Sequence, residues 1–128
     1  MKQGESIPEV KVTPDKYLPH RYAGASGDFN PIHIDPEFAK QVGMESTILH
    51  GLYSMAQVAR ANVAAAGGDP RSLRRLAVQF RGMGVPEQEI TVTGTVKEER
   101  DGQVVVDTVA EQGGNQIIRN AEAELEPK

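Results

Sequence analysis

Cysteine and tryptophan are absent from this chain, and aromatic residues of all kinds make up only 5% of it. Without thiols there can be no disulfide framework and no thiolate metal site, which is compatible with the cytosol without requiring it. With so few rings, the core must be assembled from Val, Ile, Leu, Ala and Met, and a hydrophobic content of 38% is enough for one. Positive charge is in deficit: 14 Lys and Arg stand against 18 Asp and Glu, a formal net charge of −4. That argues against a nucleic-acid binder, which normally carries a basic face. No apolar run approaches a membrane span, and the stretch from Met1 to Ser6 lacks the apolar core of a signal peptide. The expectation is a cytoplasmic protein with neither a membrane nor a nucleic-acid partner. At 128 residues the chain makes one domain, residues 1–128, with no room for a second core. A domain this small buries a limited share of its surface, which favours oligomers.

What is present changes character along the chain. Pro8, Pro14 and Pro19 punctuate an N-terminal segment whose one strand candidate is Val10–Val12. Thr13 followed by Pro14 reads as an N-cap and a first-turn proline, opening a short helix near Asp15–Ala23 with Pro19 inside it. The small and turn-forming residues from Gly24 to Pro31 read as loop. Asp35-Pro36 is a second cap-and-proline start, predicting a helix over Glu37–Val42 that Gly43 stops. His50–Ala66 is the one long helix, on the order of 25 Å at 1.5 Å per residue. In it Leu52, Met55, Ala56, Ala59, Val63 and Ala66 recur at helical spacing as the expected core face, and Gly67-Gly68 ends the run. That face is rich in Ala, so a sheet can approach it closely.

Beyond it the period becomes two. Leu76, Val78 and Phe80 alternate with Ala77, Gln79 and Arg81; Ile90, Val92, Gly94 and Val96 alternate with Thr91, Thr93, Thr95 and Lys97. Gln103–Glu111 and Gln116–Leu125 add two strands, set off by Asp101-Gly102 and Gly113-Gly114 turns. A helical first half followed by an antiparallel meander predicts an α+β fold. A long central helix wrapped by a curved antiparallel sheet is the hot-dog arrangement.

Asp28 and His33 sit in the loop rather than on a periodic face, and loops on a scaffold are where chemistry is commonly placed. A carboxylate and an imidazole close together can serve as water-activating base and proton donor. The same residues also have a plainer reading: Asp28 and Asn30 as turn formers before Pro31, and His33 as a packed, hydrogen-bonded histidine. A metal held by Asp28, His33, Asp35 or His50 is not expected, because no helical His-x-x-x-His or Glu-x-x-His pairing accompanies them.

The run from Tyr22 through Gly27-Asp28-Phe29-Asn30-Pro31-Ile32-His33, with Ala39 after it, resembles the signature of the MaoC-like, R-specific enoyl-CoA hydratase family. There an aromatic residue and a small stretch precede Gly-Asp-x-Asn-Pro-aliphatic-His, and a small residue follows. The likeness continues through Asp35–Ala39 into His50-Gly51 and covers about Tyr22 to Val63; beyond it only the strand layout agrees. The chain is also similar to the catalytic subunit of the actinobacterial 3-hydroxyacyl-ACP dehydratases. Ala25 departs from the family's usual larger aliphatic or Gly, a matter of packing rather than chemistry.

The resemblance implies reversible hydration of trans-2-enoyl thioesters, or dehydration of (R)-3-hydroxyacyl thioesters, without a cofactor. It makes Asp28 and His33 the catalytic pair and Asn30 the residue that shapes their loop. It also gives Gly51 N–H the role of oxyanion donor, which suits a helix N-terminus facing a developing enolate. His50 itself reads as structural and His20 as solvent-facing. The basic cluster from Arg71 to Arg75, with Arg81 beyond, offers Arg75 and Arg81 as phosphate contacts for an acyl-CoA or acyl-ACP substrate. Its plainer and favoured reading is a strand edge blunted by charge. A lone sheet of this kind leaves an edge, so a homodimer or dimer-based oligomer is expected, with a heterodimer also open. The rival functions are a hot-dog thioesterase and a non-catalytic partner subunit.

Overall fold

Prolines set the helix starts in the N-terminal half, though one of them does so differently from expectation. In the computed structural model, which describes residues 1–127, a strand β1 at Val10–Val12 is followed by helix α1, Leu18–Ser26. Thr13 and Pro14 lie outside that helix. Pro19 is in its first turn, where the N–H it lacks would have had no partner, so the apparent breaker is the start signal. The helix continues through Gly24–Ser26, read above as loop, until Gly27 turns left-handed at φ 79° and donates its N–H to Ala23 O. A further single turn, α2 (Pro31–Ile34), follows, with Asn30 Oδ1 accepting from Ile32 N at 3.2 Å. Helix α3, Pro36–Gln41, is capped by Asp35, and the long helix α4 spans Gly51–Ala65 between His50 and Ala66 as its caps.

A 3₁₀ turn at Pro70–Ser72 leads into β2, Leu73–Phe80, and then β3, Ile90–Arg100, β4, Gln103–Gln112, and β5, Asn115–Leu125. They form one antiparallel sheet in the order β1-β3-β4-β5-β2. Asp101-Gly102 and Gly113-Gly114 all take positive φ, as two-residue hairpin turns matched to the strand twist require. Asn120, at φ 48°, lies where the β5 register shifts against both neighbours, and the inward-facing set passes there from Ile118 to Ala121. The long helix lies against this sheet, the α+β hot-dog arrangement read from the sequence.

The face that α4 presents to the sheet differs from the one its apolar stripe predicts. Tyr53, Ser54, Gln57, Val58, Ala61 and Asn62 are buried, while Leu52 is 62% exposed and Ala56 is exposed. Polar residues on the inner face hid it from a hydrophobicity count. Asn62 is accommodated by donating to Val58 O at 2.9 Å and Thr108 Oγ1 at 3.1 Å. Val58 and Ala61 pack with Ile90, Val92, Val106, Ile118 and Ala123 in the core.

The two faces make opposite stability predictions. Val58→Ala should cost about 2 kcal/mol through a buried cavity, whereas Leu52→Ala should stay within about 0.5 kcal/mol of wild type. Urea unfolding of both variants checks this; a larger loss at Leu52 would restore the stripe read from sequence.

Candidate active site

The turn after α1 sets the first half of the site. Ser26 Oγ accepts from Asp28 N, and Asp28 Oδ1 accepts from Asn30 N, both at 3.2 Å. One carboxylate oxygen thus shapes the turn and the other is left over. Asp28 Oδ2 points to His33 Nε2 at 3.8 Å, so turn-forming and chemistry are not alternatives here. Asn30 then caps α2, which carries His33 inward until it is buried.

His33 Nδ1 lies 2.8 Å from Ile48 O. A carbonyl can only accept, so Nδ1 carries the hydrogen, and in the neutral ring the lone pair sits on Nε2. Two acceptors, Nε2 and the carboxylate, therefore face each other across 3.8 Å, too far for a direct hydrogen bond. One water donating a hydrogen to each satisfies both.

His50 proves closer to this pair than a merely structural histidine. Buried at the N-cap of α4, it donates Nε2–H to Asp28 O at 3.0 Å. Its ring stacks on that of His33 with centroids 3.8 Å apart and planes 19° from parallel. Tyr22 packs against it at 4.7 Å, and Tyr53 meets Tyr22 edge-on at 6.0 Å. Burial raises the Tyr53 phenol above its ordinary pKa, so it stays protonated at neutral pH. One nitrogen each of His33 and His50 and an oxygen of Asp28 gather within 4.8 Å, but the set is poorly built to hold a metal. In near-parallel rings the in-plane lone pairs run side by side rather than converging as tetrahedral ligation needs; His50 Nε2 is engaged, and its Nδ1 is buried without a partner.

Gly51 opens α4, and its N–H has no hydrogen-bond partner among the described residues, as first-turn helical donors do not. A Cβ here would lie 3.1 Å from Phe80 Cε1, so glycine also lets β2 close against the helix start. His33, Gly51, Ser54, Phe80, Met83 and Ile117 line a cavity of about 180 Å³. Asp28 is not part of that lining and meets it at His33.

The basic cluster is largely neutralised. Arg71 pairs with Asp69, Arg74 with Glu126 and Arg75 with Glu122. Arg81 hydrogen-bonds Gln79 Oε1 at 3.1 Å and borders a groove of about 510 Å³ that shares Gly82, Met83 and Ile117 with the cavity. Of the two arginines singled out above, the structure brings Arg81 beside the site and leaves Arg75 in an ion pair on β2. His20 is exposed, its ring 3.1 Å from Ile34 O.

The site thus gathers Asp28, His33 and Gly51 from the loop, α2 and α4. Sequence reasoning missed the contacts of His50, whose one signal was its place beside Gly51, and the cavity-lining Ser54, one helical turn beyond Gly51.

A family model described as the MaoC like domain matches residues 2–118. The peroxisomal hydratase-dehydrogenase-epimerase of Neurospora crassa is 35% identical over 121 residues, covering 94% of this chain and 12% of that protein. The peroxisomal enoyl-CoA hydratase 2 of Arabidopsis thaliana is 35% identical over 80 residues, covering 62% of this chain and 25% of that one. The chain therefore spans a quarter or less of these curated relatives. A solved structure of a MaoC-like dehydratase superposes with a TM-score of 0.94 at 28% identity, covering all of this chain and 41% of that one.

Proposed function

Because this chain belongs to the MaoC-like domain family, we propose that it adds water across the C2–C3 double bond of trans-2-enoyl thioesters, and dehydrates (R)-3-hydroxyacyl thioesters in reverse. The observation that carries this reading is the pair of acceptors, Asp28 Oδ2 and His33 Nε2, set 3.8 Å apart beside a cavity that also holds the free Gly51 N–H. The relatives whose names include hydratase and the structural neighbour named a dehydratase support the same reaction in its two directions.

In the proposed hydration, the water held by Asp28 and His33 bonds through oxygen to C3. The electron pair of the double bond moves toward the thioester oxygen, where Gly51 N–H meets the developing charge at the start of α4. The proton lost by the water passes to the carboxylate–imidazole pair. When the enolate collapses, the pair returns a proton to C2, so one H and one OH have been added. The chemistry is acid–base and draws on no oxidant or reductant.

The carrier is an acyl-CoA or acyl-ACP, and Arg81, beside the groove leading from the cavity, is the better-placed phosphate contact. We read the chain as one hot-dog domain that pairs with a second copy along β2, whose outer edge has no neighbour in the sheet. No helix among the described residues is long and apolar enough to cross a membrane. The proposed location is the cytoplasm; both curated relatives carry peroxisomal names, and subcellular fractionation separates the two.

Asp28→Asn and His33→Ala should each lower kcat on crotonyl-CoA by about 10²–10⁴-fold in the folded enzyme. Melting temperature should hold for Asp28→Asn and fall for His33→Ala, which leaves Ile48 O unpaired and His50 unstacked. The double variant should be little worse than the poorer single one, because both residues act on one water. Wild-type kcat in either single variant, or release of free thiol with no hydration, removes the assignment. In the same assay Arg81→Glu should raise KM and leave kcat nearly unchanged, the mark of lost uniform binding; an unchanged KM returns Arg81 to a plain edge charge. Light scattering should give a dimer or a multiple of it, and a fully active monomer would contradict the pairing along β2.

A further inference from the structure

Ser54 lies on the inner face of α4 and is only 4% exposed, yet its hydroxyl has no hydrogen-bond partner among the described residues. Its oxygen is open to the cavity rather than sealed in the core, so the partner it lacks can be supplied there. A helical serine ordinarily turns back to the carbonyl four residues before it, here His50 O, which instead accepts from Tyr53 N at 3.1 Å. The amide nitrogen of Asn62 donates to Val58 O and Thr108, and Gln57 accepts from Arg60, while Asn62 Oδ1 is buried without a partner away from the cavity. The hydroxyl of Ser72 is buried without a partner, but it lines none of the cavities around the site. Ser54 does line the cavity, together with His33 and Gly51.

Position within the helix supplies the direction. Ser54 is three residues after Gly51, and residues at that spacing share a helix face. Cα–Cβ bonds tilt toward the helix N-terminus, so a side chain at position 54 overlies the first turn, where Gly51 N–H emerges. Two unpartnered donors, one backbone and one hydroxyl, therefore open on the same end of a small cavity. A group that satisfies both is an acceptor gaining negative charge, and His33 on the cavity wall places the reacting double bond beside it.

We propose that Ser54 is a second oxyanion donor, its hydroxyl sharing the thioester oxygen of the bound acyl group with Gly51 N–H. This rests on the hydratase reading above and names a substrate contact that the Asp28–His33 pair does not supply. No bond forms or breaks at Ser54; the hydroxyl keeps its proton and its hydrogen bond strengthens as the enolate forms.

The test compares wild type with Ser54→Ala and with Ser54→Cys, which nearly keeps the volume but donates weakly. Both variants should lose about a hundred- to a thousandfold in kcat on crotonyl-CoA, with KM changing far less, as expected when one of two oxyanion donors is removed. Melting temperature should hold, since the hydroxyl opens on the cavity and makes no hydrogen bond to the described residues; a purely structural serine would lower it and spare kcat. A second readout does not need turnover. The infrared carbonyl band of bound [1-¹³C]butyryl-CoA should lie lower in wild type than in Ser54→Ala, because hydrogen bonding weakens the C=O bond. Unchanged kcat in an active enzyme, or identical carbonyl bands, overturns the role. A wild type that binds butyryl-CoA with the lowered band but hydrates nothing removes the hydratase reading and keeps the Ser54 contact. A wild type that neither hydrates nor binds acyl-CoA overturns both.

Discussion

The hydrogen bond from His33 Nδ1 to Ile48 O is the interaction on which the rest of the site depends. It settles which ring nitrogen carries the hydrogen, and thereby turns Nε2 into an acceptor facing the carboxylate of Asp28. The carbonyl is itself fixed by the backbone around it. Ile48 N donates to Ile32 O at 3.1 Å, and Leu49 N donates to Gly84 O at 2.8 Å. The extended stretch before α4 thus ties the turn that bears His33 to the segment between β2 and β3. His50 then closes the arrangement from the other side by holding Asp28 O and stacking on His33. Both candidate catalytic side chains are positioned by backbone atoms as much as by each other.

The inner face of α4 shows how such a site is carried by a small fold. A helix packed only for stability would bury an unbroken aliphatic stripe against the sheet. This one buries Ser54, Gln57 and Asn62 among Tyr53, Val58 and Ala61. Buried polar groups cost free energy unless paired, and the far end of the helix offsets that cost with the Asn62–Thr108 bond. The near end leaves the Ser54 hydroxyl and the Gly51 N–H without partners among the described residues, where the cavity opens. The packed middle of the helix lies over the Val and Ile residues of β3 and β4, and the Gly51 N–H and Ser54 hydroxyl stand at the cavity.

Much of this was legible in the sequence. The period-two segments, the paired turn residues at Asp101-Gly102 and Gly113-Gly114, and the cap at Asp35-Pro36 each rest on local chemistry, and β3, β4, β5 and α3 lie close to where those signals put them. Asp28 and His33 stood out because they sit off any periodic face, and the plainer reading as turn formers and a packed histidine stayed open until the family resemblance favoured the pair. Pro19 misled because a proline reads as a breaker or as a start depending on a boundary that only tertiary packing fixes. The core face of α4 misled for the converse reason: Leu52 is apolar but faces out, and Asn62 is polar but is held inside by the two bonds its amide nitrogen donates. The stacking of His50 on His33 joins residues on different elements, and no spacing rule along one chain reports it.

The central claim is that a backbone carbonyl selects the His33 tautomer and so leaves its Nε2 to hold a water with Asp28. Long-range ¹H–¹⁵N correlation of the histidine rings in mildly alkaline solution measures this directly. The account predicts that His33 carries its hydrogen on Nδ1 and His50 carries its own on Nε2, each ring donating to its carbonyl. A His33 ring with its hydrogen on Nε2 would mean that the bond to Ile48 O is absent and that Nε2 is no longer an acceptor. That result would contradict the arrangement from which the chemistry was derived.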